Sequence, residues 1–264
     1  MKIQHDFHVH TNLSVCAPRD AYAVTLIEKA KTLGLKKVGI ANHFWDSAIE
    51  GANDFYQPQD FEHLELIKPE LEKIDAGDMK IYFGCEGEYD PAHHGVAMTE
   101  QTAEKFEFII VPNSHTHMMM PKSLYEPYEK HKEFMLTAYE EILNCNISRY
   151  ITSMAHPFAA VACPYGWEIL MQMTTDDEYK RMFDKTAEKN IAVEINMWYT
   201  KDLTRAQIEE GQPMRMYRLA KECGCKFTFG SDAHHADGMN NYNTADVVAD
   251  ILSLKQEDLA EIAR

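Results

Sequence analysis

Short apolar segments typical of β-strands alternate with helical segments along the chain, and this alternation limits the possible folds more than any other feature. Seven strands are predicted, in the segments DFHVH, KKVGIANH, KIYFGCEGE, EFIIVPNSH, YITSMAH, IAVEIN and KFTFGSDAH. Strands that alternate with helices form parallel sheets, because each helix returns the chain to the same end of the sheet. We therefore predict a single α/β domain over residues 1–264, built as a closed or nearly closed barrel. A doubly wound open sheet is the alternative.

The predicted helices carry recognisable start and stop residues. The segment RDAYAVTLIEKAKTLG has apolar residues at helical spacing and stops at Gly34, and QPMRMYRLAKECG has Pro213 in its first turn. Thr175 or Asp176 is a suitable N-cap for TDDEYKRMFDKTAEKN. Pro69 is expected to break or kink the helix predicted in DFEHLELIKPELEKIDAG. Further helices are predicted in YEKHKEFMLTAYEEILNC, TADVVADILSL and EDLAEIAR.

Every predicted strand ends in His, Asp, Glu or Asn side chains. These residues are His8, His10, Asn42, His43, Glu86, Glu88, His115, His117, His156, Glu194, Asn196, Asp232 and His234, with His235 beside them. In a barrel the carboxyl ends of the strands meet at one rim, where active sites are built. Imidazoles and carboxylates with almost no thiolate suit Zn²⁺, Mn²⁺ or Fe²⁺. They exceed the ligands that one tetrahedral ion takes, so we predict two or three divalent metal ions.

The metal prediction depends on the cluster rather than on any single residue. His8 and His10 alternate along the first strand, so both imidazoles point to the same face, and burying them without a cation is costly. A lone histidine at a strand end is more often a hydrogen-bonded structural residue. We interpret Glu88 as a solvated loop carboxylate. No role is assigned to three further histidines whose contexts are typical of the surface, His5, His63 and His131.

The composition limits which partners and which cellular location are expected for the protein. Hydrophobic residues make up 45% of the 264 residues, enough for a substantial core, and the formal net charge is −16. An acidic chain repels phosphate backbones, so we expect no long nucleic acid as partner. The sequence has no run of 18 apolar residues, no N-terminal signal core and no CxxC pair among its six cysteines. These features predict a cytoplasmic protein without a membrane partner.

Six motifs carry a resemblance to a known family. DFHVHTNLS, IANHFWD, GCEGEYD, NSHTH, AHPF and GSDAH follow the order found in the PHP (polymerase and histidinol phosphatase) superfamily. The resemblance implies a distorted (β/α)7 barrel with a metal cluster, often trinuclear, at its carboxyl rim, and phosphoester hydrolysis. It also implies three sets of ligands, in which Glu86 bridges two ions. They are His8, His10, Glu86 and Asp232 for a first ion, His43 and His234 for a second, and Glu86, His115 and His156 for a third.

Two positions depart from the pattern of that family. An Asp usually precedes the histidine of the second strand, whereas Asn42 precedes His43 here, and we expect a weaker orientation of His43. An Asp or His ligand usually follows the histidine pair, whereas Val15 and Cys16 stand in that region here. Cys16 or Asp20 would have to substitute as a ligand. Otherwise the second ion is weakly held and the site is effectively binuclear.

The resemblance and the predicted cluster together point to hydrolysis of a small phosphorylated metabolite, a phosphomonoester as in histidinol phosphatases. The nucleophile would be a hydroxide that the metal ions activate. Asp232 and His234 are the candidate catalytic residues. Arg19, His117 and Lys201 follow strands at the rim and are the candidate substrate-binding residues.

Three other functions stay open at this point. They are a phosphodiesterase or nucleotide hydrolase, an amidohydrolase-type C–N hydrolase, and a non-catalytic metal-binding regulatory module. The long segment THMMMPKSLYEPYEKH after the fourth strand is predicted to form an apolar wall of a substrate pocket, or a lid or an interface without substrate contact.

Overall fold

Seven parallel strands form one sheet that curls into a nearly closed barrel. In the computed structural model, which describes residues 1–160 and 163–264, each strand pairs with the next strand along the chain. The predicted distorted (β/α)7 barrel is confirmed, and the doubly wound alternative, in which the strand order reverses, is excluded. The strands are β1 (His5–Val9), β2 (Lys37–Phe44), β3 (Lys80–Gly87), β4 (Phe108–Pro112), β5 (Ser153–Ala155), β6 (Ala192–Asn196) and β7 (Lys226–Gly230).

Side chains of β1 take part in closing the barrel against β7. Nε2 of His5 accepts the backbone N–H of Phe229 at 3.0 Å, and Oδ1 of Asp6 accepts the backbone N–H of Ser231 at 3.0 Å. The prediction that His5 lies at the surface is therefore wrong, and only 1% of its surface is exposed. A histidine near the start of a chain has no local signal that distinguishes this closing role from a surface position.

The two ends of the sheet join again one step further along, where residues after β7 meet the end of β1. Val9 and Ala233 form an isolated parallel bridge. The N–H of Asp232 donates to the carbonyl of His8 at 2.8 Å, and the N–H of His10 donates to the carbonyl of Ala233 at 2.9 Å. Three predicted metal ligands therefore lie on the line where the barrel closes, which we call the seam.

Helices connect the strands and cover the barrel. The α-helices are α1 (Ala23–Thr32), α2 (Phe61–Leu64), α3 (Lys68–Leu71), α4 (Glu100–Ala103), α5 (Thr116–Met119), α6 (Tyr128–Asn144), α7 (Trp167–Met173), α8 (Asp176–Glu188), α9 (Arg205–Glu210), α10 (Gln212–Glu222) and α11 (Ala245–Ile251). Short 3₁₀-helices lie at Glu65–Ile67, Lys122–Leu124, Ser148–Tyr150, Met197–Thr200, Ala236–Thr244, Gln256–Asp258 and Glu261–Ala263. A two-stranded hairpin pairs Tyr89–Asp90 with Gly95–Val96. Within the described ranges, no helix has the length and apolar character needed to cross a membrane.

Local sequence signals explain several of these boundaries. Thr175 caps α8 in a capping box with Glu178. Pro69 lies in the first turn of α3, and the predicted helix is broken there into α2, a 3₁₀ turn and α3. The helix predicted in EDLAEIAR is wrong, because Leu259 pairs with Phe227 of β7 and separates two 3₁₀ turns.

Glycines in β2 and β3 make room for a large ring inside the barrel. A Cβ at Gly39 would lie 2.5 Å from the ring of Phe108, and a Cβ at Gly84 would lie 2.3 Å from it. Phe108 packs edge to face on Phe7, with 5.3 Å between ring centroids. Apolar packing thus fills part of the interior, and the polar strand ends lie at the carboxyl rim.

Candidate metal centre

The carboxyl ends of the strands bring the eight predicted ligands into one cluster. Four overlapping groups of three side chains each have nitrogen or oxygen atoms close enough together to hold a cation. The groups are His8–Glu86–His156, His8–His10–Asp232, His43–Glu86–His115 and His10–His43–His234. Several side chains belong to two groups, as a cluster of two or three neighbouring ions requires.

Glu86 lies at the centre of this cluster with a buried carboxylate. Its Oε1 is 2.9 Å from Nε2 of His156 and 3.6 Å from Nε2 of His8. Its Oε2 is 2.8 Å from Nδ1 of His43 and 3.6 Å from Nε2 of His10. A carboxylate with different imidazoles at each oxygen has the arrangement that a bridging ligand needs.

Two buried atoms test whether the cluster fits a cation. Nδ1 of His43 and Oε2 of Glu86 lie 2.8 Å apart, yet neither makes a hydrogen bond to any described residue. A buried polar atom without a partner costs about 1–3 kcal/mol. Nitrogen and carboxylate atoms that converge in this way fit the ligand set of a divalent transition metal ion, which would satisfy both.

Two carboxylates outside the ligand groups hold histidines in place. Glu194 accepts the Nδ1 proton of His8 at 2.7 Å and the backbone N–H of His156 at 2.6 Å. Glu88 accepts the Nδ1 proton of His115 at 2.7 Å. Each bond keeps the proton on Nδ1 and turns the Nε2 lone pair toward the cluster, which is how histidine ligands of metals are usually oriented.

The interpretation of Glu88 as a solvated loop carboxylate is wrong. Only 1% of its surface is exposed, and its carboxylate accepts hydrogen bonds from His115 and from the hydroxyl of Tyr56. Glu88 lies two residues after Glu86 and one residue past the end of β3, so continuing the alternation of that strand predicts the same side for both carboxylates. That alternation was a signal in the sequence for the position of Glu88.

A chain of short polar side chains orients His10. Ser14 donates its hydroxyl proton to Oδ1 of Asn42 at 2.9 Å, and its oxygen accepts the Nδ1 proton of His10 at 3.0 Å. The same Oδ1 accepts the backbone N–H of Thr11 at 2.7 Å. Asn42 therefore acts on the ring of His10 through Ser14. The sequence had led us to expect an effect on the neighbouring ring of His43 instead.

Two further rings are fixed by oxygen atoms. The hydroxyl of Ser114 donates to the carbonyl of His156 at 3.1 Å and accepts the Nδ1 proton of that ring at 2.7 Å. The carbonyl of Asp232 accepts the Nδ1 proton of His234 at 3.0 Å. Both imidazoles thus keep a free Nε2 lone pair.

Of the two proposed substitutes for the missing ligand, Cys16 lies at the cluster and Asp20 does not. Sγ of Cys16 is 3.0 Å from Nε2 of His234, and the residue lines a cavity together with His43. Asp20 is exposed and belongs to none of the four ligand groups.

The cluster carries strong negative charge. Among the described residues, no Lys or Arg forms an ion pair with its carboxylates. Burial opposes a charge on His8, but Glu194 and two further carboxylates raise its pKa well above the usual value. Against the same effect of burial, Glu88 and Glu86 raise the pKa of His115 to about 9. The site therefore attracts positive charge, which bound cations would supply.

Comparison with known proteins identifies the family. The profile of the PHP domain matches residues 6–197, more than two thirds of the chain. The chain belongs to the PHP domain family. The resemblance to this family is therefore confirmed, and five of its six motifs lie within the matched residues. Comparison with curated proteins gives no significant match.

Two solved structures share the fold of this PHP domain. One is histidinol phosphate phosphatase from Lactococcus lactis, complexed with zinc, L-histidinol and phosphate, at 14% identity and a TM-score of 0.63. The alignment covers 96% of this chain and 94% of that one. The other, from Listeria monocytogenes, is assigned as a histidinol phosphatase and has 14% identity, a TM-score of 0.69 and coverages of 89% and 97%.

Two cavities of this PHP domain open onto the cluster, with volumes of about 270 and 220 Å³. Both are lined by His115, His117, Asp232 and His234. The larger is also lined by His156, Ala159, Asn196 and Trp198, and the smaller by Cys16, His43, Phe55, Tyr56 and Met118. The candidate catalytic residues Asp232 and His234 thus face both cavities.

The candidate substrate-binding residues differ in position. His117 lines both cavities, and burial together with the neighbouring His115 lowers its pKa to about 4, so the ring is neutral near pH 7. Arg19 and Lys201 are exposed and line neither cavity, so their contact with substrate stays a prediction. From the long segment after β4, Met118 lines the smaller cavity.

Some residues of the site were missed in the sequence or placed wrongly. His131 is buried in α6, where its Nε2 bonds the hydroxyl of Thr116 at 2.8 Å, so the surface prediction for it is wrong. Ser14 and Ser114 were missed as partners of histidine rings. Each stands close to a ligand motif, but a serine at a strand end is too common to distinguish this role from a turn.

Proposed function

We propose that this PHP domain is a metal-dependent phosphatase that hydrolyses a small phosphorylated metabolite, in the manner of a histidinol phosphatase. The observation that carries the proposal is the contact of Nδ1 of His43 with Oε2 of Glu86 at 2.8 Å without a hydrogen bond, inside a cluster of eight potential ligands. Such convergence at the carboxyl rim of a barrel supports hydrolysis at a multi-metal site. The fold shared with a phosphatase solved with zinc, histidinol and phosphate supports the substrate class.

Two or three zinc, manganese or iron ions would occupy the cluster. When bound, such ions neutralise the phosphoryl oxygens and lower the pKa of water, so that a nucleophile forms near neutral pH. The residues that would hold them are His8, His10, His43, Glu86, His115, His156, Asp232 and His234. Glu194 and Glu88 keep two of these rings in the tautomer that binds metal.

We propose that Asp232 orients the attacking water. Its carboxylate is 26% exposed toward the cavities, and Oδ1 lies 3.3 Å from Nε2 of His10. Burial opposes its charge, but the imidazoles of His8 and His10 hold the pKa of Asp232 well below its usual range. The ionised carboxylate can accept a hydrogen bond from water on the cavity side. His234 lies beside it and would bind metal or contact the phosphoryl group.

The size and charge of the site favour a small substrate. The cavities of about 270 and 220 Å³ lie at or below the lower end of ligand pockets, roughly 300–1,000 Å³. With a formal net charge of −16, the chain also disfavours a long nucleic acid. A small metabolite agrees with the cytoplasmic location predicted from the sequence.

The proposal is tested by measuring bound metal and the turnover of p-nitrophenyl phosphate and bis-p-nitrophenyl phosphate with added Zn²⁺ or Mn²⁺. We expect at least two ions per chain and faster hydrolysis of the monoester. His10→Ala and Asp232→Ala should lose metal and activity. His93→Ala removes an exposed histidine outside the cluster and should retain both.

Other outcomes select the alternatives. Preference for the diester would identify a phosphodiesterase or nucleotide hydrolase. Full metal content without turnover of either ester, or of a panel of metabolite phosphates, would identify a non-catalytic metal-binding module. Fewer than two ions per chain together with no turnover would refute the proposal altogether.

A further inference from the structure

Cys16 adds a sulfur atom to a cluster that otherwise offers imidazoles and carboxylates. We propose that the Cys16 thiolate is a metal ligand and completes the coordination of one ion together with His10, His43 and His234. The inference rests on the proposed metal-dependent function and concerns the ligand set of that same site. It determines which metal the site prefers at this position.

The contact between Cys16 and His234 is the first observation. Sγ lies 3.0 Å from Nε2 of the ring, whose Nδ1 proton is held by the carbonyl of Asp232. The Nε2 lone pair therefore faces the sulfur. In a tetrahedral zinc site the metal lies about 2.3 Å from sulfur and 2.0–2.1 Å from nitrogen, which separates the two ligand atoms by about 3.5 Å. A shift of about half an ångström would admit the ion.

The charge of the ligand groups is the second observation. Three of the four groups contain Glu86 or Asp232, whereas the fourth, His10–His43–His234, contains imidazoles alone. Three neutral imidazoles leave both charges of a divalent ion uncompensated and one tetrahedral position open. A thiolate supplies one negative charge and the fourth ligand. His43 is also shared with the group His43–Glu86–His115, in which its buried Nδ1 lies 2.8 Å from Oε2 of Glu86, so an ion held with Cys16 would lie next to that carboxylate.

The loop that carries Cys16 is held on both sides. The backbone N–H of Val15 donates to the side-chain oxygen of Gln59 at 3.0 Å, and Gln59 is fully buried. The N–H of Ala17 donates to the carbonyl of Ser14 at 3.0 Å. These bonds hold the backbone on either side of Cys16, and the contact with Nε2 of His234 places its sulfur at the cluster.

A sulfur ligand changes the metal preference of this position. Thiolates favour zinc and other soft or borderline ions, whereas carboxylates and water suit manganese and magnesium. On binding, a metal–sulfur bond replaces the S–H bond of Cys16, and the thiol proton is released to solvent. We therefore expect that one ion of the cluster resists exchange by excess Mn²⁺ while the others exchange.

Cobalt titration of the chelator-treated full chain tests the ligand directly. Wild-type protein should develop a sulfur-to-cobalt charge-transfer band in the near ultraviolet, and Cys16→Ser should lose it. Cys16→His should bind the same number of cobalt ions without the band, because nitrogen replaces sulfur. Cys223→Ser changes a half-buried cysteine at the end of α10 and should keep the band.

Two further measurements decide the outcome. X-ray absorption of the zinc form should detect sulfur at about 2.3 Å. Cys16→Ser should weaken one ion by at least the ~10–100-fold that loss of an outer partner costs. Full metal content without the band or the sulfur signal would overturn the inference and leave the phosphatase proposal standing. Failure of wild-type protein to bind metal would refute both.

Discussion

Gly230, the last residue of β7, has no side chain, and the carboxylate of Glu194 occupies the place where a Cβ would be. We can therefore predict what a side chain at this position would change. A Cβ at Gly230 would lie 1.9 Å from Oε1 of Glu194 and 2.5 Å from Cβ of His8. Ordinary contacts begin near 3.4 Å, so the carboxylate oxygen would have to move by about 1.5 Å in Gly230→Ala. The alternative is a shift of the backbone that carries His8.

Either movement breaks the bonds that orient two histidines. Glu194 accepts from Nδ1 of His8 at 2.7 Å and from the N–H of His156 at 2.6 Å, and neither bond survives a movement of this size. Loss of an outer partner lowers metal affinity by about 10–100-fold. A displacement of about 1 Å at a reacting centre costs on the order of 100-fold in rate. We expect Gly230→Ala to lose about 100-fold in kcat/KM.

The assay combines titration in metal buffers with the hydrolysis of p-nitrophenyl phosphate. Gly39→Ala is the matched control, because its Cβ meets the rings of Phe108 and Phe7 at 2.5 and 2.8 Å, away from the ligands. It should lower the free energy of unfolding by about 1–3 kcal/mol through overpacking. Its metal affinity should stay within about twofold of wild type.

A double variant separates the proposed cause from general damage. Glu194→Asp shortens the side chain and leaves room for the new Cβ. The loss of metal-binding free energy in Gly230→Ala/Glu194→Asp should therefore be smaller than the sum of the losses in the two single variants. Folded Gly230→Ala protein with wild-type metal affinity and turnover would refute the reasoning, since Glu194 would then not orient His8.

Three further changes test other contacts of the site. Asn42→Asp should retain metal affinity, because a carboxylate keeps the acceptor for Thr11, whereas Asn42→Leu should lose about tenfold in metal titrations. Asn196 lines the larger cavity, and its buried Nδ2 has no hydrogen-bond partner among the described residues, so Asn196→Ala should raise KM for p-nitrophenyl phosphate more than it lowers kcat. Burial lowers the pKa of His5 from 6.5 to about 3. Below pH 6.5 the ring therefore takes up a proton when the protein unfolds, and the stability of the protein decreases as the pH decreases. His5→Gln keeps an acceptor for Phe229 and should remove about 1.4 kcal/mol per pH unit of that loss, measured by urea unfolding between about pH 6 and 4.

The convergence of the eight predicted ligands in one cluster could be predicted from the sequence because strand geometry is local. His8 and His10 share a face through the period of two in β1, and parallel strands bring their carboxyl ends to one rim. The partners of the rings could not be predicted in this way. Glu194 meets His8 across 186 residues of sequence, and Ser114 meets His156 across 42. Those pairings depend on how distant strands are aligned in the closed barrel.

The hydrogen bonds at the seam could also not be predicted from local sequence patterns. His5 and Asp6 use their side chains to accept backbone protons from the far end of the chain, and nothing near them in the sequence indicates it. Glu88 differs, since the alternation with Glu86 already placed it on the ligand face. β3 ends at Gly87, and the loop interpretation was wrong because Glu88 is nevertheless buried, where Tyr56 and His115 donate to its carboxylate.

Because ligands from both edges of the sheet meet at the seam, the proposed metal ions would help to close the barrel. His8 and His10 come from the end of the first strand of the barrel and Asp232 from the segment after its last strand, so an ion bound by all three would join the two edges of the sheet. A chain that lacks the last strand of the barrel cannot form this group, and a growing chain would acquire it only after that strand and Asp232 have been made. Metal loading would then report that the barrel has closed. On removal of metal, we expect amide hydrogens of Asp232 and His10 to exchange before those of the central strands.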